Sequence, residues 1–150
     1  MKKIILILSL LLLVNCGFKS ILSTKDINFK VSSIEISDND KVSSKIKKKL
    51  QIYTKSDSSE KIYSLKINSN KNIEISSKDT KGNPLTYQMS ILTKLEIYEE
   101  DKLIKKITYK KNFSYNNKSN KFDLKQYEKS TEKNLISQIS ESIIINLLSI

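Results

Sequence analysis

The sequence of 150 residues has no histidine and no tryptophan, only two glycines, one proline and one cysteine. Arginine and alanine are missing too, so all 27 basic residues are lysine. Each absence excludes something. Without histidine, the usual general base, triad member and imidazole metal ligand are gone. A single cysteine, Cys16, forms no disulfide within the chain. Two glycines, Gly17 and Gly82, make no phosphate-cradling loop. The densest carboxylates, Glu99, Glu100 and Asp101, adjoin Lys102 and read as a solvated hairpin rather than a cation site. Serine–lysine pairs are too common to single one out. The chain is therefore expected not to be an enzyme, with no metal and no cofactor.

What is present begins at the N-terminus. Lys2 and Lys3 precede an apolar run from Ile4 to Val14, and then come Asn15 and Cys16. A charged start, a short apolar core and a cleavage site make a secretory signal. The run is too short for a spanning helix, which needs roughly 20 apolar residues. Leu13-Val14-Asn15-Cys16 resembles the lipobox of bacterial lipoproteins, with Asn15 where that family usually has Gly, Ala or Ser. The resemblance implies cleavage before Cys16, a diacylglycerol on its thiol and an acyl chain such as palmitate on its new amine. Two or more chains anchor a protein stably, at about 0.8 kcal/mol per buried CH₂. Gly17 stands where an aspartate would favour inner-membrane retention, so the resemblance points to the periplasmic leaflet of the outer membrane. Residues 1–15 are then the signal, 16–26 a lipidated tether and 27–150 a single folded domain.

The formal charge is +11, and removing Lys2 and Lys3 leaves +9 for the part after the signal. A basic balance suggests polyanions. Export argues against nucleic acid and leaves the phosphates of phospholipid and lipopolysaccharide. The lysine excess also fits AT-rich codon usage, since Ile, Asn and Ser are abundant as well. Arginine, the better bidentate phosphate binder, is absent.

Apolar alternation gives a first strand from about Asn28 to Ser37. Phe29 and Val31 keep one parity and Ile34 and Ile36 the other, which places a bulge near Ser32-Ser33. Asp38, Asn39 and Asp40 suit a helix start. Val42, Ile46, Leu50 and Tyr53 then form a helical stripe, with Lys45, Lys47, Lys48 and Lys49 on its solvated face. Ser56–Ser59 is a turn. Period two returns at Tyr63, Leu65, Ile67, Ile73 and Ile75, in one half-buried strand or a strand interrupted near Asn70. Asp79–Pro84 is a turn. Leu85 to Ile97 and Leu103 to Tyr115 alternate on odd numbers, joined through Glu99–Lys102. From Phe122 to about Leu148 a long helix carries Leu124, Tyr127, Thr131, Leu135, Ile139 and Ile143. The order β-α-β-β-β-α predicts an α+β fold, two helices on one face of a four-stranded, mostly antiparallel sheet. The other sheet face is polar.

Short motifs in this order resemble the LptE family, the lipopolysaccharide-assembly lipoproteins. They are Cys16-Gly17-Phe18-Lys19, the strand Leu85-Thr86-Tyr87-Gln88-Met89-Ser90-Ile91, the strand end Phe113-Ser114-Tyr115-Asn116, and Phe122 leading into the long helix. The resemblance spans nearly all of the chain after the signal. It implies a plug inside the outer-membrane β-barrel LptD, one that assists barrel assembly and delivers lipopolysaccharide to the outer leaflet. Of the family's functional residues only Cys16 carries over. A polar surface suits the lumen of a large barrel.

Two other readings fit the same sequence. One is an auxiliary lipoprotein of an ABC-type envelope lipid transport system; the other is a lipid-anchored structural or interaction protein. On the residues themselves, the candidate lipopolysaccharide contacts are Lys78 and Lys81. They flank a turn with only Asp79 between them and Leu85 behind. Alternation places this turn opposite the Glu99–Lys102 hairpin, beside the start of the helix-covered sheet. A plain solvated turn is the alternative.

Overall fold

The computed structural model describes residues 28–36, 40–55 and 61–150. Cys16, the signal, the tether and the Ser56–Ser59 turn lie outside them. Four strands, β1 (Phe29–Ile36), β2 (Lys61–Lys78), β3 (Pro84–Glu99) and β4 (Lys102–Asn116), form one sheet in the order β1-β2-β3-β4. Helices α1 (Lys41–Leu50) and α2 (Lys121–Leu148) complete the β-α-β-β-β-α order. The α+β fold is as the alternation predicts. β1 runs parallel to β2, while β2, β3 and β4 form an antiparallel meander.

Local sequence explains each boundary. The β1 bulge falls between Val31 and Ser33 and lets Phe29, Val31 and Ile34 all face the core. The extra residue, Ser32, donates its hydroxyl to the Tyr63 carbonyl at 3.1 Å. β1 pairing stops at Ile36 opposite Ile67. Just beyond, the Asp40 carboxylate caps α1 by accepting from Ser43 N at 2.8 Å. The same carboxylate accepts from Ser69 N of β2 at 2.7 Å, standing in for the missing strand neighbour. Asn120 caps α2 through Phe122 N.

Helix α1 covers β1 and β2, and α2 covers β3 and β4, so both lie on one face. Their apolar stripes close one core with the odd-numbered faces of β2 and β3. Ile46, Leu50, Leu65, Ile67, Ile91, Leu95, Ile97 and Ile139 are all fully or almost fully buried in it. A hydroxyl chain from Ser43 to Ser69 to Thr93, at 2.9 and 3.0 Å, crosses the middle of this core. At the far end Tyr115 stacks on Tyr87 and donates to Glu128 at 2.9 Å, which ties α2 to the sheet. Burial, and then Glu128, raise the Tyr115 hydroxyl well above the ordinary tyrosine range.

Of the two readings of β2, the uninterrupted strand holds through Asn70, because β3 pairs with it residue by residue across that stretch. Three expectations need correction. Ile73 and Ile75 keep the core-facing parity yet are 37% and 44% exposed, since α1 begins at the level of Ser69 and runs the other way. Tyr53 belongs to a 3-10 turn, Gln51–Thr54, that follows the α-helix and still buries the ring against Phe29. Leu103 is turned to the other face: a bulge sets Leu103 opposite Tyr98, and Ile104 packs on the core in its place.

Candidate functional site

The sheet outruns its helices at one end. Beyond Ile67, β2 has β3 on one side and no strand on the other among the described residues. The β2–β3 hairpin therefore projects, and its turn carries the two lysines singled out by sequence, Lys78 and Lys81. Both are exposed.

The turn is built by Asp79. Its carboxylate accepts from Lys81 N at 2.9 Å, Asn83 N at 2.8 Å and the Asn83 side-chain amide at 3.0 Å. The Asn83 bonds above all hold this carboxyl below the usual aspartate range. Asp79 N donates to Asn83 O and Gly82 N to Asp79 O, closing the loop on itself. Gly82 has φ +83°, a left-handed conformation that a side chain would strain, and so the loop needs glycine there. Pro84 opens β3 opposite Lys78, at the edge of the hydrogen-bond ladder. The acid nearest in sequence is thus spent on the turn's backbone. Lys78 and Lys81 take part in no ion pair among the described residues.

The hairpin lies at the end opposite Glu99–Lys102, as expected. Its neighbour is a correction: β1 begins at the other end, opposite Lys61, and the β4–α2 junction sits beside the turn. Asn117 N donates to Leu85 O at 2.7 Å, and the Asn117 side chain donates to Pro84 O at 2.9 Å. Leu85 is 50% exposed behind the turn, and Ile73 and Ile75 continue the apolar surface down the same face. The projecting end thus sets cations beside uncovered aliphatic groups. Sequence reasoning missed Asp79 as the organiser, although the Asp79-to-Asn83 spacing signals it, and it missed the Asn117 clamp, which depends on a contact 33 residues away.

The opposite sheet face is polar, as expected, with Ser64, Lys66, Gln88, Ser90, Lys94 and Lys106 on it. Lys106 pairs with Glu96 there at 2.8 Å, and this contact leads the effects that hold the Glu96 carboxyl low. Of the α1 lysines assigned to the solvated face, Lys45 also reaches Glu132 on α2. Among the described residues no helix is long and apolar enough to cross a membrane, and no cluster of acids or thiols suits a metal ion.

No family model matches the sequence, and no curated protein matches it. Solved structures do match the fold. Rare lipoprotein B from Shewanella oneidensis aligns with a TM-score of 0.61 at 13% identity, over 80% of this chain and 94% of that one. A minor lipoprotein from Acinetobacter baumannii aligns at 0.56 and 14% identity, over 82% and 92%. An uncharacterized lipoprotein B from Nitrosomonas europaea aligns at 0.58 and 10% identity, over 82% and 84%. This chain shares its fold with these bacterial lipoproteins.

Proposed function

We propose that this chain is an outer-membrane lipoprotein, acylated at Cys16, that plugs and helps assemble an LptD-type β-barrel and delivers lipopolysaccharide to the outer leaflet. The observation that carries the reading is the projecting hairpin. Lys78 and Lys81 stand there without acid partners, beside Leu85, Ile75 and Ile73. Lipopolysaccharide carries phosphates next to acyl chains and meets both features at once. The shared fold with proteins named as lipoproteins supports the anchor at Cys16.

Isolation of the protein from outer membranes should bring down a heat-modifiable β-barrel. Subunits of a lipid carrier in its place would favour the auxiliary transport lipoprotein. Cys16→Ala should accumulate as unprocessed precursor, and mass spectrometry of the mature N-terminus should find acyl chains on Cys16; an unmodified N-terminus elsewhere removes the anchor. Lys78→Glu with Lys81→Glu should weaken lipopolysaccharide binding while the fold and the barrel complex stay intact. A contact to each charge is worth about 1–3 kcal/mol if the lipid desolvates it. Unchanged binding by the folded double variant assigns the turn to solvent.

A further inference from the structure

A second feature lies on the helix layer, away from the hairpin. Between the C-terminal half of α1 and the middle of α2 is an open groove of about 250 Å³. Lys45, Lys48, Lys49, Lys129 and Lys133 line it, over a floor made by Ile136 of the core. Its lining is mainly apolar although five of its six residues are lysines. The reason is that each lysine presents a hydrocarbon stem before its ammonium group. The walls are hydrocarbon and the rim is cationic.

The charges on this rim are poorly balanced. Lys45 is held by Glu132, which Lys71 also engages. Lys48, Lys49, Lys129 and Lys133 take part in no ion pair among the described residues. Lys45 and Lys49 are four apart on α1, and Lys129 and Lys133 four apart on α2, which makes each a repelling pair of neighbours. The groove sets the two pairs against each other. The helix dipole favours cations in the last turn of α1, where Lys47, Lys48 and Lys49 lie. It gives no such support to Lys129 and Lys133, which stand in the middle of α2. An anion in the groove would relieve this repulsion.

We propose that this groove binds a lipid phosphate. The ammonium groups of Lys48, Lys49, Lys129 and Lys133 hold the phosphate oxygens. The first methylenes of the acyl chain lie along the lysine stems, above the buried Ile136. Ligand pockets usually measure roughly 300–1,000 Å³, so the smaller groove takes the headgroup and the start of one chain and leaves the rest outside. A free phosphate would satisfy the rim and leave the apolar wall unused. The proposal rests on the groove alone and needs neither the barrel nor the hairpin lysines.

Lysine footprinting tests it on the full chain in a nonionic maltoside detergent. Amine acetylation rates are measured residue by residue without additive, with octyl phosphate, and with inorganic phosphate. Octyl phosphate should slow Lys48, Lys49, Lys129 and Lys133 at least five-fold relative to Lys66, Lys94 and Lys110 on the sheet, and inorganic phosphate should not. Equal slowing of all lysines, or of none, overturns the site. Equal protection by inorganic phosphate overturns the lipid and leaves a simple anion. Lys48→Gln with Lys133→Gln, both at exposed positions, should abolish the protection of Lys49 and Lys129 without moving the melting temperature; retained protection overturns the assignment.

Discussion

Glu132 sits within the buried stripe of α2 at 8% exposure, where a lone charge would be costly. Lys45 from α1 and Lys71 from β2 meet its two oxygens, so one carboxylate joins both helices to the sheet. Burial pushes this carboxyl up. The hydrogen bonds from Lys45 and Lys71, and then their charges, outweigh that and hold it below the ordinary glutamate range. A lowered carboxyl stabilises the fold above its unfolded value of about 4.3. That contribution is lost as pH falls through the folded value. Lys45 and Lys71 are 53% and 35% exposed, so solvent screens the pair. Glu132→Gln should therefore cost only about 1 kcal/mol at pH 7. Thermal melts of wild type and variant should converge as pH falls through the folded value of this carboxyl, below its ordinary range. A gap unchanged by acidification would assign the effect to packing. Nothing in the sequence near Glu132 announces this pairing, because its partners lie 87 and 61 positions away.

At the scale of elements, apolar periodicity located every strand and both helices, since each element buries one face and shows it as period two or period 3.6. It failed where cover, not parity, decides burial. Ile75 and Leu95 carry the same odd-face signal, yet Leu95 is 1% exposed beneath the helices and Ile75 is 44% exposed beyond them. The alternative of a break at Asn70 falls for a related reason. A ladder is a backbone property, and β3 keeps its own alternation unbroken through Met89, Ile91, Thr93 and Leu95. The turn lysines were legible because Asp79–Pro84 is a local signal; the aliphatic surface beside them was not, because it depends on where α1 begins, at the level of Ser69. Leu95→Ala and Ile139→Ala should each cost about 2–5 kcal/mol in urea unfolding. Ile75→Ala should cost under about 1 kcal/mol, because much of its side chain already meets water. Equal costs at Ile75 and Leu95 would mean that the projecting end is covered.

The described residues form one core with an uncovered extension, and the stability of the fold should be graded accordingly. The buried cluster runs from Phe29 to Leu147 and joins all four strands to both helices. A chain beginning near Thr24 keeps every member of that cluster. It should fold in water without the lipid and unfold in a single transition, seen alike by circular dichroism and tyrosine fluorescence. Native-state hydrogen exchange should then divide β2 along its length. Leu65 and Ile67 lie between β1 and β3 under α1, so their hydrogen-bonded amides should open only with global unfolding. From Asn72 to Ser77 the strand has β3 alone and exposed side chains on both faces. Its bonded amides should exchange at least about ten-fold faster, by local opening that leaves the core intact. Such a loosened end is what binding to an amphiphile would order, so lipopolysaccharide should slow exchange at residues 72–77 more than at 65–67. Equal protection along β2 in the free protein would show that the hairpin is as firmly held as the core and that no ordering accompanies binding there.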